Sequence, residues 1–176
     1  ELDKSVFGER WESEIIRLTI DQDNYVTANS GAFFGWDRYT LYKNGKAIRN
    51  LDGQFTAFSP NVSLQNVGGK AVWEFSDAED SVTVIFDGVD LRKRYNLDKA
   101  YRPYGFGDKL IFVGEKDGKQ FIVYDGHKIG HDFDLIHIAY FCEPVLWSVT
   151  FGQGKYVFWA EREGQLYVVE VALPEE

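Results

Sequence analysis

Three lysines recur in the same local setting along this chain. Lys70, Lys109 and Lys155 each follow a glycine-containing turn, in "VGGK", "FGDK" and "GQGK", and each opens an aromatic-rich run, "AVWEF", "LIFVG" and "YVFWA". The copies lie 39 and 46 residues apart. One interval upstream, "DQDN" precedes "YVTAN" and puts Asn24 in the place of the lysine. A further strand-like run follows each copy, in "RYTLYKNG", "SVTVIFDG", "QFIVYDG" and "QLYVVEV". Three of these end in Asn44-Gly45, Asp87-Gly88 and Asp125-Gly126. Asx-Gly pairs are strong hairpin signals, because both central residues of a type I′ turn need positive φ. After them come "KAIRNL", "VDLRKRY" and "GHDFDLI" as fourth strands. In "VDLRKRY", Leu91, Lys93 and Tyr95 alternate with Arg92 and Arg94, the pattern of an exposed strand that charge protects from edge pairing.

Four antiparallel strands recurring at this period are the signature of a propeller blade, a unit that buries its faces only by stacking on its neighbours. "TAFSPN", "GFGDKLIF" and "TFGQGKYVF" resemble the blades of TolB-like and WD-repeat propellers, and the whole chain resembles the small four-bladed propellers of microbes. The resemblance implies an all-β, four-bladed β-propeller in one domain over residues 1–176. Its blades would lie near 14–52, 60–97, 101–136 and 145–172. The last copy ends at "VALPEE" without a fourth strand, so residues 5–10 are expected to close the ring beside Gln165 to Val171.

A formal charge of −9 opposes nucleic acid and other polyanionic partners, which need a basic footprint. The longest apolar stretch, "LIHIAYF", is too short to span a bilayer. Cys142 is the sole cysteine, so no intramolecular disulfide forms, and a buried inert thiol is expected. The expectation is a monomer located in the cytoplasm, with export after removal of a leader as the alternative.

No P-loop, dinucleotide fingerprint, His-Glu-x-x-His or Gly-x-Ser-x-Gly motif is present. His127, His131 and His137 stand near Asp132 and Asp134, but strand spacing separates the first two too far for one ion. Neither metal nor cofactor is expected. Alignment through the lysines gives polar inner-strand columns: Arg17, Ser63, Arg102 and Ser148 in one, with Gln65 and Tyr104 in the other. Such positions border the mouth of a ring, where arginines attract an anion or an acidic side chain. An insertion between the third and fourth units carries Phe133, Ile136, Tyr140 and Phe141, which either pack over a blade or present a partner surface. The reading is a non-enzymatic module that binds a protein or a small ligand. The alternative is a carbohydrate-active enzyme with carboxylates in the mouth.

Overall fold

The computed structural model describes residues 16–29, 36–54, 62–76, 82–137, 150–152 and 154–173. These form four antiparallel sheets and one short helix. The first sheet runs in chain order through β1 (Ile16–Ile20), β2 (Asp23–Asn29), β3 (Trp36–Lys43) and β4 (Lys46–Gln54). The second holds β5 (Val62–Val67), β6 (Lys70–Ser76), β7 (Val82–Phe86) and β8 (Val89–Asp90), and the chain then enters α1 (Leu91–Tyr95). The third holds β9 (Lys99–Phe106), β10 (Lys109–Lys116), β11 (Lys119–Tyr124) and β12 (His127–Phe133). In the fourth, β15 (Lys155–Arg162) carries β16 (Gln165–Ala172) on one edge. Its other edge takes β13 (Leu135–His137) and β14 (Thr150–Gly152), which pair with opposite ends of β15. No helix among the described residues is long and apolar enough to cross a membrane.

The hairpin chemistry operates as local rules require. Asn44-Gly45, Asp87-Gly88 and Asp125-Gly126 all have positive φ at both residues, as do Asp117-Gly118 and Glu163-Gly164 one hairpin earlier in their units. The first residue of each Asx-Gly turn also donates its N–H back to the second strand, from Asn44 to Asn24 O, Asp87 to Ala71 O and Asp125 to Leu110 O. The same turn hydrogen bond thus occurs in three of the sheets.

Two expectations are corrected. The outer strand of the second unit is only Val89–Asp90, and Leu91 to Tyr95 form a helical turn in place of an alternating strand. Asp90 caps that turn, accepting from the Arg92 N–H, and Asn96 ends it at φ 54. Leu91 and Tyr95 are four apart, so a helix points both onto the sheets while Lys93 and Arg94 are exposed. The second correction moves a boundary. The fourth strand of the third unit is His127–Phe133, and Leu135, Ile136 and His137 already belong to the fourth sheet. Asp98 and Asp134 mark the equivalence. Each precedes an inner strand, each donates its N–H to β10 or β15 at Glu115 O or Glu161 O, and each accepts from the next turn, at Asp117 N or Glu163 N.

Successive sheets pack face to face, with β1 against β5, β7 against β9 and β12 against β15. Strand alternation in β6 sends Trp73 and Phe75 into a cluster with Leu41 and Ile85 at the junction with the first sheet. Val72 joins the larger core, in which Ile111, Phe112, Val113 and Phe158 are almost wholly buried. The turns of the second and third sheets meet so closely that a Cβ on Gly68 would lie 2.3 Å from the backbone oxygen of Asp108. With φ at +55 as well, only glycine fits there. Residues 5–10, expected beside β16, lie outside the described residues.

Candidate functional site

The first strand of the third sheet, β9, is irregular at one point. Pairing runs from Tyr104 opposite Ile111 to Tyr101 opposite Val113, so Arg102 and Pro103 together face Phe112 across a bulge. Arg102 has φ 54. A left-handed conformation costs a residue with a Cβ about 1–2 kcal/mol, and a following proline narrows the choice further. Neighbours hold this backbone in place. The Arg102 N–H donates to Glu74 Oε1 at 2.8 Å, and Gln65 Nε2 donates to Pro103 O at 3.1 Å. Ser63 Oγ donates more weakly to Glu74 Oε2, at 3.5 Å.

Glu74 is 8% exposed. Burial pushes its carboxyl pKa up, and the Arg102 N–H, the Arg102 charge and Ser63 offset only part of that rise. From the fourth sheet comes Tyr156, whose phenol is pushed far above its ordinary range by burial, with the Arg102 charge acting in the opposite direction. Tyr104 lies close enough to act on it as well, and is itself 52% exposed. The arrangement joins a half-exposed arginine and an exposed tyrosine to a buried carboxylate and a buried phenol. Guanidinium and phenol together present several donors suited to a carboxylate or another oxyanion.

The structure places Ser63 and Gln65 of β5 beside Arg102 and Pro103 of β9, with Tyr104 next along that strand. Arg17 is exposed on β1, with no hydrogen bond to this group among the described residues. Ser148 lies outside the described residues. Glu74 and Tyr156 are missing from the sequence reading. Glu74 did leave a signal: through the lysine alignment it occupies the column of Val113 and Trp159, a single charge among apolar residues. Tyr156 shares its column with Ala71 and Leu110, which points nowhere in particular.

No protein-family model, curated protein or solved structure matches this chain. The remaining candidates are placed by geometry alone. Phe133 and Ile136 are buried, so of the two alternatives these residues take packing and not a partner surface. Phe133 meets Phe158 edge-on at 5.8 Å, and the Ile136 N–H donates to Gln120 Oε1. These contacts join the third sheet to the fourth. Tyr140, Phe141 and Cys142 lie outside the described residues. His127 and His131 are exposed on β12, whereas Asp132, Asp134 and His137 pair with Lys128, Lys119 and Glu161.

Proposed function

We propose that this chain is a non-enzymatic binding module, with its four sheets as the blades of a small β-propeller and with Arg102 and Tyr104 as the ligand contact. The propeller reading is supported by four sheets that follow one another in chain order, each packed on the next. It is supported too by the fourth sheet, whose Leu166 and Val168 are well exposed on a strand paired only with β15 among the described residues. Residues 5–10 beside β16 would cover that edge. Deleting residues 1–10 should then cost about 3 kcal/mol, roughly 6–12 °C in Tm for a chain of this size. A truncated chain that melts with the parent would sink ring closure.

The binding reading rests on one observation, a strained arginine inside a strand, held by a buried carboxylate. Strain of this kind persists where the surroundings enforce it and clusters at functional sites. Arg102→Gly relieves it. Folding stability should stay level or rise by up to about 1 kcal/mol, since glycine adopts positive φ freely but carries more entropy in the unfolded chain. Anion binding should be lost. The probes are citrate and phosphate: Tm of the parent should climb with their concentration at constant ionic strength, and Tm of the variant should not. Equal shifts in the two proteins would remove Arg102 from the site. The raised proton affinity of Glu74 favours a second reading, because glycosidases use such a carboxyl as general acid with a partner carboxylate roughly 5–10 Å away. Hydrolysis of aryl glycosides that Glu74→Gln abolishes would replace the binding reading with that one.

A further inference from the structure

The second unit departs from the repeat where its outer strand gives way to α1, and this departure opens a groove. Its volume is about 530 Å³, within the range of small-ligand sites. Tyr95, Asn96 and Leu97 form one wall, and Phe121 and Val123 of β11 form the floor. Tyr95 rests on Phe112, ring centroids 5.7 Å apart. Its hydroxyl end lies against Gly126, where a Cβ would come within 3.0 Å of the oxygen. Glycine thus keeps the groove open beside the tyrosine while also serving the Asp125-Gly126 turn.

The rim selects the chemistry of the occupant. Lys116, Lys119 and Lys128 supply ammonium donors, and each has an aspartate partner, Asp98, Asp134 and Asp132 in turn. Lys128 is further fixed over the Phe121 ring, 4.7 Å from its centroid. Lys116, Lys119 and Lys128 line the opening together with Asp117 and Asp132, so donors and acceptors both face it and its net charge is small. A single anion or cation would have to compete with an ion of its own sign already in place. Hydroxyl groups donate and accept at once and can join such pairs without breaking the balance. A half-exposed tyrosine beside the lysine stems offers an apolar surface to the C–H face of a ring.

We propose that this groove binds a neutral saccharide, with Tyr95 as the stacking surface and the Lys128–Asp132 pair as the hydroxyl contact. The site is separate from Arg102 and does not rest on the anion reading. The test uses backbone amide NMR of the whole chain, titrated with neutral cello-, malto-, manno- and chito-oligosaccharides, and with benzoate and spermidine as charged probes. At least one oligosaccharide should shift amides of residues 95–97, 116–123 and 126–132, with an affinity that added salt leaves unchanged. Tyr95→Ala should raise Kd at least about tenfold, equivalent to roughly 1.4 kcal/mol. Lys128→Met keeps an unbranched side chain at this exposed position and removes the ammonium with its contacts to Asp132 and the Phe121 ring, so it should fold and still weaken binding. The proposal is overturned if none of the oligosaccharides moves these amides, if only benzoate or spermidine does, or if folded Lys128→Met binds like the parent.

Discussion

Replacing Asp90 with alanine is expected to lower stability by about 3 kcal/mol at neutral pH. The Asp90 side chain is 3% exposed and its Oδ2 lies 2.8 Å from Arg92 Nη2. Its other oxygen accepts from the Arg92 backbone N–H and from Nε, at 3.0 and 3.2 Å, and Arg92 also reaches Thr83. One carboxylate thus caps α1 and neutralises the guanidinium at the junction where the second unit turns away from the repeat. Removing it strands Arg92, and breaking a buried pair from one side costs about 3–5 kcal/mol. The lower end applies because Arg92 is 31% exposed and water recovers part of the loss.

The same contact carries a pH dependence. Burial alone would raise the Asp90 carboxyl, but the side-chain and backbone hydrogen bonds from Arg92 outweigh it and leave the pKa below 3.8. The native state therefore binds this proton less readily than the unfolded chain does. Asp90 contributes its stability above the ordinary value of 3.8 and loses it as pH falls through the depressed one. Urea unfolding of parent and Asp90→Ala should accordingly differ most at neutral pH and converge in strong acid. Equal midpoints at neutral pH would show that Arg92 needs no partner.

Trp73→Ala should cost more, about 3–5 kcal/mol, the usual range for a large buried aromatic. Trp73 is 0% exposed and packs with Leu41, Phe75 and Ile85, so its removal opens a cavity at the junction of the first two sheets. Its indole N–H has no hydrogen-bond partner among the described residues. Trp73→Phe strands no polar group and keeps an aromatic ring in the cluster, so it should cost clearly less than the alanine variant, by the smaller cavity it leaves. Comparison of the two variants by chemical denaturation separates packing from polarity. A Phe variant as unstable as the Ala variant would mean that the indole N–H matters to folding.

Local chemistry was legible wherever a residue's conformation depends on its immediate neighbours. The Asx-Gly pairs predict their own φ values, and the lysine-led turns predict where second strands begin, because both signals act within a few residues. The lysine alignment also brought Arg102, Ser63, Gln65 and Tyr104 into adjacent columns, since strands of equal register carry equivalent residues to the same level of successive sheets. Elsewhere local signals were ambiguous. Leu91 and Tyr95 satisfy an alternating strand and a helical turn equally well, and the choice fell to the Asp90 cap and its partly exposed arginine partner. Leu135 to His137 read as strand in either sheet, and only pairing with β15 assigned them to the fourth.

Sequence by itself thus determined the all-β class and the Asx-Gly hairpins. Tertiary structure decided the burial of Glu74, the left-handed backbone of Arg102, the company of Tyr156 and the groove beside α1. Each of these depends on what another sheet places opposite a residue. Desolvation and close packing are set by partners distant along the chain, 28 positions in the case of Glu74 and Arg102, and no local pattern in the residues themselves records that distance.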